Sequence, residues 1–425
     1  MSDPRIPLLY HRTTPHWQQE QRNSFWALNE GKSAPFNTRP DKLEAHAEES
    51  LSINGRHYAQ SNAGNSWTHL ANRQAFFRHR LIPHQLVDVN ERDTTTTLFG
   101  HKIYHPRGEL PVAKVAGQFR LPYALSTAGS STIEDVAASN DEGRQMPDAV
   151  NVQGTDNDSP VRFFQLYLSH DDELAVSLLR RAVANGFTAC ILTTDTWQLG
   201  WRHDDVATSN YAFYRGIGAD LGLADPIFQR RMEKAGIDPK KQPEEAGAMW
   251  IDKDWHGRAF SWEKIPWLIK TWKELSGGKP FCIKGIQSVA NAQHCVDLGV
   301  DGIVVSNHAG RQVDGAIASL DALENIVNAG IGEKLTVMFD SGVRGASDVI
   351  KALCLGAKFV WVGRMWIYGL SIMGEEGVRR VMKCLLAKFD ISMLTAGIRN
   401  VGEMQKDRLE SYPKGYTLIA EKVKL

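Results

Sequence analysis

The stretch SNHAGRQVDG, residues 306–315, puts His308 and Arg311 three positions apart, directly after an apolar β-like run. An imidazole can take a proton near neutral pH. A guanidinium three residues on can clamp a carboxylate through two hydrogen bonds. The plainer alternative is a structurally satisfied histidine in a polar loop, and the Asn, Arg and Gln beside it weigh against that. Asp195 closes the run ILTTD. A carboxylate there can orient His308 and stabilise its charged form, or it can simply cap the following turn. Lys284 ends PFCIKG, where a cation would stabilise an anionic cofactor unless its amine reaches out to solvent.

Two further stretches act as a pair. FDSGVRGASDV (339–349) supplies Asp340, Ser341, Gly342 and Arg344, and VGRMW (362–366) supplies Gly363 and Arg364. Each ends an apolar run in small residues plus an arginine. Such loops cradle phosphate with backbone N–H groups, reinforced here by charge. One alone is weak evidence, because glycine turns after strands are routine. Two in succession point to phosphate.

These residues need a scaffold that brings many strand ends together. Seven short apolar or β-branched runs are visible: LPYALST (121–127), RFFQLYL (162–168), ACILTTD (189–195), PFCIKG (280–285), GIVVSN (302–307), LTVMFDS (335–341) and FVWVGR (359–364). Helical patterns closing on glycine separate most of them: ELAVSLLRRAVANG, SVANAQHCVDLG, LDALENIVNAG and ASDVIKALCLG. The alternation implies a parallel sheet. A doubly wound dinucleotide fold would show G-x-G-x-x-G after its first strand, and nothing here matches. Polar residues instead end nearly every run, including Ser126, Gln165, Tyr167, Thr193, Ser306 and Arg364. That distribution predicts an α/β (β/α)8 TIM barrel with its chemistry at the strands' C-terminal ends.

The expected organisation is an N-terminal helical extension over 1–90 and the barrel over 91–425. A long insertion at 196–275 interrupts the rhythm after Asp195 and carries seven of the 12 tryptophans. Loops this long are lids, binding loops or contact surfaces; packing over the barrel rim is an equal alternative. The formal net charge is zero, which argues against nucleic acid and membrane surfaces as partners. No run of 18 apolar residues predicts a membrane span. The five cysteines are scattered without C-x-x-C spacing, so reduced buried thiols are expected rather than a metal site.

Together the motifs resemble the FMN-dependent α-hydroxy-acid oxidase and dehydrogenase family, from about Phe36 to about Glu403. SNHAGRQ is close to that family's S-N-H-G-x-R-Q signature, and RFFQLY, LTTDTW, IKG and FDSGVR follow its order. TDTWQLGWRHDDVATSNYAFYRG looks most like the lactate 2-monooxygenase branch. The resemblance implies FMN as cofactor and oxidation of a small L-2-hydroxy acid, lactate in the first instance, with O2 as acceptor. His308 would be the base at the substrate α-carbon, paired with Asp195, and Tyr167 would contact the hydroxyl or keto oxygen. Arg311, Arg202 and Tyr58 would hold the carboxylate. Ser126, Gln165 and Thr193 would hydrogen-bond the flavin ring with Lys284 at its edge, Ser306 would contact another part of the cofactor, Asp340 the ribityl chain, and Arg344, Gly363 and Arg364 the phosphate, with Ser341 and Gly342 also in the cofactor site. Ala128 stands where glycolate-oxidising relatives carry a bulky Trp, which favours lactate or larger acids. A homo-oligomer, tetramer or octamer, and a cytoplasmic location are the matching expectations.

Two departures stand out. The signature's first glycine is Ala309 here, a small change unless the position needs φ > 0. The larger one lies at TLFGHKIYHPRGEL, 97–110. Family members place an apolar strand and an A-P-I-G turn against the flavin before the position of Tyr104, whereas here Ile103 runs straight into Tyr104. On the order of a dozen residues, one strand and its loop, are absent, in agreement with the count of seven. Three outcomes follow: Thr94–Ile103 slides in as a substitute strand, a damaged barrel binds FMN weakly and serves a binding or regulatory role, or the sequence is a splice or gene-assembly variant of an active enzyme. The complete set of other site residues favours the third.

Overall fold

The computed structural model describes residues 15–98, 101–103, 109–150 and 160–414. All seven runs form strands of one parallel sheet: Tyr123–Ser126, Arg162–Leu166, Ala189–Thr193, Phe281–Ile286, Gly302–Val305, Thr336–Phe339 and Phe359–Val360, each paired with the next in chain order. The four glycines that close the helical patterns, Gly186, Gly299, Gly330 and Gly356, all have positive φ. This is the left-handed conformation that ends a helix at no steric cost. The curled parallel sheet is that of a (β/α)8 barrel with one strand missing. Among the described residues no strand connects Tyr123–Ser126 to Phe359–Val360.

The run Thr94–Ile103 does not substitute for the missing strand. It folds back on itself as an antiparallel hairpin, Thr96–Leu98 against His101–Ile103. Leu98 is buried against Phe163, Ala189, Cys282 and Met338. Ala189 opens its strand and Phe163 and Cys282 are second in theirs, so the hairpin stops the N-terminal end of the barrel. Tyr104, on the far side of the junction, lies outside the described residues. Chain continues as the helix Leu110–Gln118, whose entry is fixed by Glu109: its carboxylate accepts from Ser130 N at 3.1 Å and Ser130 Oγ at 2.7 Å.

Residues before the barrel form the helices Gln19–Trp26, Pro40–Ser50, Ile53–Gln60 and Trp67–Phe77, and a short strand His79–Leu81 that pairs with Leu409–Ser411. The sequence pattern gave no sign of that two-stranded ribbon, which is too short for periodicity to register. The insertion contributes Trp250 and Trp255 to the main core. The closing helical stretch Arg364–Ala396 is broken at Met373–Gly374. No helix among the described residues is long and apolar enough to cross a membrane.

Candidate active site

Strand register assembles the site. Ser126 lies opposite Gln165, and Thr193 opposite Lys284. Their side chains form a continuous polar row. Ser126 Oγ donates to Gln165 Oε1 at 3.1 Å, and Gln165 Nε2 donates to Thr193 Oγ1 at 2.9 Å. Beneath it, Ala124, Ile191, Val304 and Trp361 give the same cavity, of about 300 Å³, an apolar floor. A shallow apolar space edged on one side by donors and acceptors suits a flat heteroaromatic ring.

His308 stands at the mouth of this cavity. Its Nδ1 lies 2.7 Å from Asp195 Oδ1, and Lys284 Nζ lies 3.1 Å from Asp195 Oδ2. With Nδ1–H donating to the carboxylate, Nε2 is left as the basic lone pair. Burial disfavours ionisation of Asp195, but Lys284 and His308 outweigh it and hold the carboxyl well below the usual range. Burial, then the neighbouring ammonium of Lys284, push His308 down, against the pull of Asp195. The imidazole is therefore a neutral base at physiological pH. Thr196, which sequence reasoning missed, binds the pair together. Its hydroxyl donates to Asp195 Oδ1 at 2.7 Å, lies 3.1 Å from His308 Nδ1 and hydrogen-bonds the Tyr167 phenol.

The arginines divide into two groups. Buried Arg78, Arg92, Arg162, Arg202 and Arg379 each pair with a carboxylate. Arg344 and Arg364 are equally buried, and among the described residues neither has an ion-pair partner. Arg344 donates to Val343 O, and Arg364 to Ala59 O, Ser61 O and Asn62 Oδ1. Burial and then Arg344 lower Arg364 to about 10. Burying two such cations side by side is costly unless an anion joins them. Above Gly363 a Cβ would meet nothing within 4 Å, so the backbone there is open to an approaching group. Arg311 is a third cation with no ion-pair partner among the described residues. It donates to Ser61 O at 2.9 Å, lies over the Tyr58 ring at 5.4 Å, and is lowered to about 9 by burial and then by Arg202.

The fold thus brings Tyr58, Ser126, Gln165, Tyr167, Thr193, Lys284, His308, Arg311, Asp340, Ser341, Gly342, Arg344, Gly363 and Arg364 around one cavity. Three expected site residues sit behind it. Asp195 acts through His308 and Lys284. Ser306 Oγ accepts from His308 N at 3.1 Å, under the turn. Arg202 pairs with Asp205 at 3.2 Å. The insertion reaches the site through Trp255, stacked on Tyr167 with centroids 4.6 Å apart and planes within 3°. No local signal in the sequence could have paired residues so distant.

A family model described as FMN-dependent dehydrogenase matches residues 47–411. The chain belongs to the FMN-dependent α-hydroxy-acid oxidase and dehydrogenase family. It is 43% identical to an FMN-dependent alpha-hydroxy acid dehydrogenase of Penicillium citrinum, over 88% of this chain and 92% of that one. It is 33% identical to an L-lactate oxidase of Lysinibacillus sphaericus, over 87% and 91%. A crystal structure of mandelate oxidase superposes with a TM-score of 0.70 at 27% identity, covering 88% of this chain and 98% of that one. As a family member, the chain is an oxidoreductase of α-hydroxy acids, and FMN is its cofactor. The unpaired Arg344 and Arg364, the open backbone at Gly363 and the polar row along the apolar floor fit that group's phosphate and ring.

The signature turn carries a cost specific to this chain. Ala309 has φ +58, and its N–H donates to Ser341 Oγ at 2.9 Å. A left-handed alanine costs about 1–2 kcal/mol, partly offset by the lower chain entropy it brings to the unfolded state. Ala309→Gly is expected to stabilise the protein by about 0.5–1 kcal/mol, read as a higher denaturant midpoint with an unchanged slope.

Proposed function

We propose that the chain oxidises a small L-2-hydroxy acid, lactate before others, and passes the electrons to O2. The observation that carries this reading is the His308–Asp195 pair at 2.7 Å beside Arg311, a cation with no ion-pair partner among the described residues. Arg311, with Tyr58 against it, would take the substrate carboxylate. His308 Nε2 would receive the proton, and Asp195 would stabilise the imidazolium so formed. Burial, with Asp195 adding to it, raises the Tyr167 phenol above its ordinary value, so it stays protonated and can donate to the substrate oxygen. Bound FMN supplies the two-electron acceptor. Lys284, raised by Asp195 and Asp340 against the effect of burial, keeps a positive charge at the edge of the polar row throughout. The phosphate falls to Arg344 and Arg364.

Lactate is favoured by the small Ala128 and by the 33% identity to an L-lactate oxidase. Glycolate oxidase of Spinacia oleracea, at 32% identity, and the mandelate enzymes define the competing acids. The likeness to the lactate 2-monooxygenase branch, a homo-oligomer and a cytoplasmic location belong to the same reading. The missing strand favours one alternative, a barrel of impaired flavin affinity with a binding or regulatory role. One experiment separates them. Purified protein is expected to be yellow and to bleach anaerobically with L-lactate, faster than with glycolate or mandelate. A folded protein that stays colourless after incubation with FMN supports the impaired barrel.

A further inference from the structure

The helix Trp67–Phe77 lies across the ends of the last three strands and touches the loop that follows each of them. Asn72 and Asn307 exchange two side-chain hydrogen bonds, at 2.8 and 2.7 Å. Arg73 donates to Gly342 O and to Asp348 Oδ2, and Asp348 Oδ2 also accepts from Arg344 N at 2.9 Å. The third contact is the unusual one. His69 Nδ1 faces Arg364 NH1 at 3.3 Å. A guanidinium has only donors, so Nδ1 must be the accepting lone pair and the ring must be neutral.

Among the described residues, every hydrogen-bond acceptor on Arg364 is neutral: Ala59 O, Ser61 O, Asn62 Oδ1, Ala309 O and His69 Nδ1. The nearby carboxylate of Glu44 takes the Tyr368 hydroxyl at 2.6 Å. A carboxylate on Arg364 would hold the guanidinium more firmly but would spend its charge. Neutral acceptors fix its orientation and leave the charge for an anion. We infer that His69 is a positioning residue for the cofactor phosphate, holding Arg364 in place without neutralising it. Burial, then Arg364, Arg344 and Arg73, lower His69 to about 3, which keeps the ring neutral throughout the working pH range.

The inference rests on placing the FMN phosphate at Arg364, and its test separates the two. FMN and riboflavin, which lacks the phosphate, are titrated into apo-protein by fluorescence quenching. Inorganic phosphate is titrated by thermal shift. His69→Glu is expected to raise the FMN Kd at least about tenfold, the scale of one charged hydrogen bond, with riboflavin unchanged. His69→Ala is expected to cost about fivefold and His69→Gln, which retains an acceptor, to recover most of that. If His69→Glu does not fold, the Ala and Gln pair alone decides: equal affinities overturn the role. Equal loss of FMN and riboflavin in the folded variants also overturns it, because that is a general structural effect. Loss of phosphate-dependent binding in Arg364→Met but not in His69→Glu sinks the role of His69 alone. No effect of Arg364→Met sinks the phosphate placement. A wild-type chain that takes up neither FMN nor inorganic phosphate overturns the proposal outright.

Discussion

His308→Ala is expected to lower kcat/KM for the hydroxy acid by about three orders of magnitude while FMN stays bound. A positioned base contributes ~10²–10⁴-fold, and His308 is the basic group at the cavity mouth whose partner, Asp195, is held ionised by Lys284. The residues assigned to the cofactor do not include His308, so the spectrum of the bound flavin should be little altered. Two neighbouring substitutions test the electrostatics with opposite signs. Lys284 lowers His308 and Asp195 raises it. Lys284→Met should therefore move the acidic limb of the kcat/KM profile to higher pH, and Asp195→Asn should move it to lower pH while also slowing the reaction. Stopped-flow reduction of the flavin across pH reads both. Shifts in the same direction would show that the His308–Asp195–Lys284 contacts do not set the base.

The strands and the catalytic arrangement were legible in the sequence to different depths. Strand positions follow from apolar runs and glycine stops, which are local properties, and all seven runs are strands. What local pattern cannot report is which side chains converge after a hundred residues of intervening chain. Thr196 reads as an ordinary residue after a strand, yet its hydroxyl joins Tyr167, Asp195 and His308. Trp255 is one of seven tryptophans in the insertion, and only the fold puts its ring on Tyr167. His69 looks like a surface residue of an amphipathic helix. Its meaning depends on Arg364 having no carboxylate among its hydrogen-bond partners in the described residues, which is a property of the packing. The stretch Thr94–Ile103 has the alternation of a strand, and the same pattern serves a hairpin; Leu98 faces the barrel interior in a hairpin that no periodicity distinguishes from a continuous strand.

Inserting a strand and turn of roughly a dozen residues after Ile103 is expected to lower the FMN Kd at least about tenfold, on the scale of one or two recovered backbone hydrogen bonds to a buried group. Chain length carries the argument. The hairpin stops the N-terminal end of the barrel through Leu98, and Glu109 is tied at the opposite end to Ser130, just past the strand Tyr123–Ser126. Between Ile103 and Leu110 lie positions 104–109 alone. Fully extended they reach about 20 Å, at ~3.3 Å per residue. That is the height of one five- or six-residue strand, with nothing over for the turn that carries a strand's end into its helix. An eight-stranded barrel needs both. The present chain can therefore cross the barrel or turn at its top, but it lacks the residues to do both and still wall the flavin. Restoring them should raise the thermal midpoint of the apo-protein as well, because closure removes sheet edges. Isothermal titration with FMN and a melting curve, run on both chains, decide the matter. If the chain as it stands binds FMN stoichiometrically at nanomolar concentration and the insertion changes neither quantity, the junction is a tolerated deletion and the seven strands suffice.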